Sequence, residues 1–204
     1  MYLEAPTYQP ITSGPSVFLA GGITNCPDWQ QAAAAALADF TVFNPRRRHF
    51  PIDDPGQTPV QIAWEYHHLA LADLTLFWFP ACDPKLTTQP ITMYELGAAA
   101  ATPTRRIVVG TDPDYPRETD VHTQLRHARP GLIVHTTLQD TLTAARRTLL
   151  QLRLSPPPRL PRRRPRPAEG AHVTFQTYVQ LALAVELAPT LTVNGRTAAQ
   201  VAAS

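Results

Sequence analysis

The sequence predicts an α/β protein built on a doubly wound, five-stranded parallel sheet in the order 2-1-3-4-5, followed by a C-terminal tail. Three observations carry this. Short apolar runs alternate with segments of helical length between residues 16 and 154. The apolar runs are nearly continuous, as strands buried on both faces are. Right-handed crossovers then place helices on both faces of one sheet.

Each element has a local reason. Residues 1–15 read as an extended leader punctuated by Pro6, Pro10 and Pro15. SVFLAGGI is a buried strand that ends in a Gly21-Gly22 turn. Asp28 can cap a helix through WQQAAAAALADF. TVFNP is the second strand, and residues 46–58 form a polar loop. PVQIAWEYHHLALAD reads as the second helix, with Pro59 suited to its first turn. LTLFWFP is the third strand. A loop through Pro84 and Pro90 leads to a helix in QPITMYELGAAAA. RRIVVGT and GLIVHTT are the fourth and fifth strands. TLQDTLTAARRTLLQLRL is the last amphipathic helix of the sheet domain, with Thr137 or Asp140 near its start.

The expected domain spans residues 1–154. Residues 155–167, SPPPRLPRRRPRP, can be neither helix nor central strand and form a Pro/Arg-rich linker. Residues 168–204 form a mostly helical tail with a hairpin-like turn at Asn194-Gly195. Its apolar side chains exceed one amphipathic stripe, so they are expected to be buried on the sheet domain or between subunits.

Composition excludes several classes. A hydrophobic share of 44% is enough for a core. The net charge of +2 rests on five arginines of the linker, and the remainder carries 2 − 5 = −3. The folded part therefore lacks the basic excess of a nucleic-acid binder. The two cysteines, Cys26 and Cys82, form no CxxC spacing and the histidines are scattered, so no metal site is expected. The start is not a signal peptide and no run is long enough to span a membrane; a reducing cytoplasm is the expected location. No GxGxxG, P-loop or GxSxG motif occurs, which disfavours dinucleotide dehydrogenases, P-loop enzymes and α/β-hydrolases.

Chemistry converges on one edge. In a doubly wound sheet, ligands bind beyond the carboxyl ends of the strands, near the switch point. The Gly21-Gly22 turn, Asn44 and Arg46 after strand 2, the loop after Pro80, and Glu95 all fall there. Thr92-x-x-Glu95 matches a capping box, which puts Glu95 at the third helical position. One reading is a cap only. The other is a carboxylate kept ionised by the helix N-terminus, as a nucleophile must be. Gln61 and Glu65 share one face of the second helix, four residues apart. Trp64 is core or a base-stacking surface.

The ordered set VFLAGGIT, Trp29, NPRR, WE, LALAD-LTLFWFP and ITMYELG resembles the nucleoside 2-deoxyribosyltransferase superfamily, especially its transferase-like bacterial branch. It is also similar to the nucleoside monophosphate N-glycosidases. The resemblance covers about residues 16–150. It implies a flavodoxin-like sheet and cleavage of the N-glycosidic bond of a nucleoside or its 5'-monophosphate, with no cofactor. It implies Glu95 as the nucleophile in the ELG motif and Asp73, just before strand 3, as the assisting acid. Glu65 is a second candidate for proton donor. The expected substrate-binding set is Phe18, Gly21, Gly22, Ile23, Asn44, Arg46, Gln61, Trp64, Glu65, Gln89 and Met93. Phe18 stands where many members carry tyrosine. Gln89, six residues before the nucleophile, replaces the Asp of transferases and the Ser of monophosphate hydrolases.

The expected reaction passes through an oxocarbenium-like state trapped as a glycosyl-glutamate. The alternatives are a catalytically weak nucleotide-binding module on the same fold, or a glycohydrolase that splits NAD. The expected partner is a small nucleoside or nucleotide, not a membrane or nucleic acid. Similar family members assemble and complete their pockets from adjacent subunits, so a homo-oligomer is expected.

Overall fold

The computed structural model describes residues 1–11, 14–51, 53–155, 192–193 and 196–197. The chain divides into two units, residues 1–160 and 161–204. In the first, six parallel strands form one sheet: β1 (Tyr2–Glu4), β2 (Ser16–Gly21), β3 (Thr41–Asn44), β4 (Leu74–Phe79), β5 (Ile107–Thr111) and β6 (Val134–His135). Their order is β1-β3-β2-β4-β5-β6. The five expected strands occur in the expected order. The sixth, β1, comes from the leader and adds to the edge by pairing Tyr2 with Val42.

Four helices connect strands of this sheet, α1 (Trp29–Ala36), α2 (Gln57–Leu71), α3 (Pro90–Ala100) and α4 (Glu118–Ala128), and a fifth, α5 (Leu138–Leu154), follows β6. Alternation along the strands sorts two cores. Val17, Leu19, Leu74, Leu76 and Trp78 pack with Trp29, Leu37, Leu142 and Leu149, the side of α1 and α5. Phe18, Ala20, Phe77 and Phe79 pack with Trp64, Leu96, Val121 and Leu125, the side of α2, α3 and α4. Both faces are covered, which explains the unbroken burial of β4.

Several boundaries differ from expectation. α2 begins at Gln57, two residues before Pro59. α4 has no counterpart among the helices read from sequence; it buries only Val121 and Leu125. The fifth strand shrinks to two residues. α3 begins at Pro90, and its cap is Gln89 in the left-handed region (φ 57°, ψ 50°). Thr92 is a buried residue inside the helix, and Glu95 is its sixth residue, so the capping-box reading fails. Pro at the first position fits because no N–H is needed there. Thr137 does cap α5, accepting from the Asp140 N–H at 3.0 Å.

In the second unit, β7 (Thr192–Val193) and β8 (Arg196–Thr197) pair antiparallel on either side of Asn194-Gly195. The linker at 156–167 and the helical reading of the tail lie outside the described residues. No helix among the described residues is long and apolar enough to cross a membrane.

Candidate active site

Two glutamates mark the candidate site. Thr92, Leu96 and Ala100 form the buried stripe of α3, and Glu95 adjoins it one turn below Ala99. On α2, Gln57, Gln61, Trp64, Glu65 and His68 share the inward stripe. The half of this stripe nearer the strand ends is polar, where a purely structural helix would be apolar. Glu95 and Glu65 each keep some exposed surface while protein crowds them.

Their electrostatics are coupled. Burial, and then the nearby charge of Glu65, push the Glu95 carboxyl up to about 8. No hydrogen bond reaches the Glu95 carboxyl from the described residues. Burial also raises Glu65 above the usual carboxylate range. Gln61, whose Nε2 donates to Glu65 Oε1 at 2.8 Å, and the Arg47 guanidinium both oppose that rise. Two enclosed carboxyl groups this close do not both ionise easily, so the pair retains a proton well above ordinary carboxylate pH.

The loop after β2 is built by close approach. A Cβ on Gly21 would stand 2.3 Å from the Trp78 carbonyl oxygen and 2.4 Å from the Trp29 ring. One on Gly22 would stand 2.5 Å from Cys26 Sγ and 2.7 Å from Gln89 Cδ. The Gly22 carbonyl accepts from Trp29 Nε1 at 3.2 Å and Gln30 Nε2 at 3.3 Å. Gln89 reaches back, with Nε2 donating to the Pro80 carbonyl at 2.8 Å. Met93 is half-buried against the α2–α3 core.

Several expected ligand residues have other work. Arg46 donates to Pro27 O (2.9 Å), Gln30 Oε1 (2.9 Å), Ile23 O (3.2 Å) and Cys26 O (2.9 Å), and lies 3.8 Å from Asp28. It clamps the loop that contains Ile23 and has little left for a substrate. Asn44 donates to the Tyr2 hydroxyl and accepts from the Arg46 N–H, each at 2.9 Å. Trp64 is fully buried, stacked on His68 at 4.0 Å between centroids, with Nε1 donating to Thr7 O at 2.7 Å. Phe18 is buried 6.1 Å from the Trp64 ring. Both pack the core and present no face to a ligand.

Asp73 is not brought to Glu95. It precedes β4 and accepts from Ser16 N (2.9 Å) and Ser16 Oγ (2.8 Å) at the start of β2. The loop leading to Glu95 leaves the other end of β4, six residues on, or about 20 Å along the strand. The carboxylate beside Glu95 is Glu65.

Arg47 is the residue that sequence reasoning missed. Its Nη1 donates to Gln57 Oε1 at 2.8 Å, while Nε and Nη2 are buried without a partner. Gln61 Oε1 and Gln89 Oε1 are the other buried side-chain atoms without partners among the described residues. All these orphaned atoms belong to residues at the carboxyl edge. Buried polar groups are ordinarily paired, so these are suited to a ligand with both donors and acceptors. A hollow of about 490 Å³ is lined by Tyr2, Asp28, Asn44, Arg46, Arg47 and Arg48, so it shares Arg47 with the candidate site, but neither Glu65 nor Glu95 lines it. No cluster of three or more metal-ligating side chains occurs among the described residues.

A doubly wound sheet with two coupled carboxyl groups at its carboxyl edge has the layout of an enzyme that works on a small molecule by carboxylate chemistry. A family model described as nucleoside 2-deoxyribosyltransferase like matches residues 14–115, and the chain belongs to that family. Membership points to glycosyl transfer at nucleoside N-glycosidic bonds. Comparison with curated proteins gave no match.

Proposed function

We propose that the protein breaks the N-glycosidic bond of a nucleoside or nucleoside 5'-monophosphate through a covalent glycosyl-Glu95 intermediate. Glu65 serves as the proton donor to the leaving base. The coupled, enclosed pair of Glu95 and Glu65 is the observation that carries this reading.

The chemistry follows from the pair. Without substrate, Gln61 and Arg47 favour charge on Glu65 and the proton on Glu95. The reaction needs the reverse. Positive charge that develops on the sugar favours an ionised Glu95, because opposite charges in a low-dielectric site attract strongly. The proton then resides on Glu65, which passes it to the base as the glycosidic bond breaks. Glu95 Oε bonds to the anomeric carbon. Water, or a second base, next attacks that carbon, with Glu65 accepting the incoming proton, and Glu95 leaves as a carboxylate. Asp73, expected as the assisting acid, is committed to Ser16 and takes no part in this scheme.

A second reading keeps the same pocket but makes it a nucleotide-binding module. The high proton affinity of Glu95 favours it, since a protonated carboxyl is a poor nucleophile. A panel of nucleosides, monophosphates and NAD, followed by chromatography for free base, separates the two. Base release by the wild type that is abolished by Glu95→Gln supports catalysis. Saturable binding without base release supports the module.

A further inference from the structure

We propose that Cys26 and Cys82 form a reversible intrachain disulfide that locks the two loops bordering the candidate site. They are the only cysteines in the chain, and both are free thiols here. They lie on the loops that follow adjacent parallel strands, β2 and β4, whose register pairs Gly21 with Trp78. Gln89 gathers them. Its Nε2 contacts Cys82 Sγ at 3.4 Å. Its Cδ and Cys26 Sγ lie 2.7 and 2.5 Å from the same point, the position of a Cβ on Gly22. The missing side chain of Gly22 is therefore what lets Cys26 enter this cluster. Cys82 also lies near enough to Cys26 to act on its thiol electrostatically. Both are half-buried, so a small reagent has access.

The oxidant is a low-molecular-weight disulfide. Burial, and then Cys82, push the Cys26 thiol up to about 11, so it stays protonated and does not start the exchange. Cys82 gives its proton to solvent and its sulfur attacks one sulfur of the reagent, whose S–S bond breaks and releases one small thiolate. Cys26 then loses its proton to solvent and its sulfur attacks Cys82 Sγ, expelling the second small thiolate. Both leaving groups take up protons. The balance is two protein thiols and one small disulfide giving one protein disulfide and two small thiols.

A sulfur–sulfur bond of about 2.05 Å is far shorter than a thiol hydrogen bond. Its formation draws Cys82 away from Gln89 Nε2 and from the Thr87 carbonyl, which Cys82 Sγ contacts at 3.4 Å. Gln89 is the left-handed cap of α3, the helix that carries Glu95. The bond thus acts on the entry to that helix and closes a long chain loop, which restricts the unfolded state.

The test uses the full-length reduced protein, glutathione disulfide as oxidant, acid quench and peptide mass mapping. Paired loss of both thiols, with one linked peptide containing Cys26 and Cys82, is expected. The oxidised chain should run as a single chain, melt several degrees higher and release base several-fold more slowly, and dithiothreitol should reverse all three. Cys26→Ser should keep base release and lose the melting shift. The melting shift needs no substrate, so it reads the lock even if no base is released. Persistent mixed disulfides, chain-to-chain links, or a linked protein with unchanged melting temperature would each overturn the proposal.

Discussion

Glu95 is a carboxyl group that pays to be charged, and this gives it two measurable signatures. Glu95→Gln keeps the shape and removes the proposed nucleophile, so base release should fall at least about 10³-fold while the melting temperature is kept or raised. The second signature is a pH dependence. An unfolded glutamate titrates near 4.5, and Glu95 is raised to about 8. Between these values the native state holds a proton that the unfolded state lacks. Stability from this group is thus fully present below about 4.5 and declines as pH rises to 8, at up to about 1.4 kcal/mol per pH unit. Glu65, also raised, acts with the same sign. His67 and His68 are held low by burial and act with the opposite sign, losing stability as pH falls. The comparison is therefore made between wild type and Glu95→Gln by denaturant titration across pH 5 to 8. The variant should show the flatter decline, and parallel profiles would contradict the shift.

Among the elements, the loop after β2 takes more hydrogen bonds from Arg46 than from any other side chain. Arg46→Ala removes its bonds to the carbonyls of Pro27, Ile23 and Cys26 and to Gln30, and should cost about 2 kcal/mol of stability by chemical denaturation. A loss confined to substrate affinity with unchanged stability would instead restore Arg46 as a ligand. NPRR announced a cationic corner, but not which arginine faces inward. That depends on where β3 ends, and element ends are the least legible feature of a sequence. The same limit applies to α3. Thr92-x-x-Glu95 imitates a capping box, while Pro90 is the better marker of the start, since proline suits a first helical position. α4 was hidden because just two of its residues, Val121 and Leu125, are buried, too few for a periodic signal. β1 is three residues long, and its place comes from pairing with β3 and from the burial of Leu3, neither of which its short sequence announces. The central strands were legible because burial on both faces leaves a continuous apolar run. Glu65 was legible as a partner of Gln61 and a candidate proton donor; its electrostatic coupling to Glu95 comes from the placement of α2 and α3 on one face of the sheet.

For the whole molecule, surface chemistry suggests assembly. Tyr66 on α2 is 74% exposed, and Ile91 and Tyr94 on α3 are 65% and 61% exposed. Large side chains left in water on the two helices that carry the candidate site are suited to an interface between copies. The prediction is a wild-type mass above one chain by light scattering, reduced by the pair Tyr66→Ser and Tyr94→Ser with little change in far-ultraviolet circular dichroism. A monomeric wild type would contradict it. The linker arginines lie apart from the two glutamates in sequence, and replacing all five with serine should leave base release unaltered. The central claim is that one glutamate becomes glycosylated during turnover. Rapid acid quench of wild type with its best substrate, followed by peptide mass spectrometry, tests it most directly. A sugar adduct is expected on the peptide that contains Glu95, absent from Glu95→Gln and accumulating in Glu65→Gln when an activated leaving base is used. Sustained base release by Glu95→Gln, with no adduct on the wild-type peptide, would contradict it.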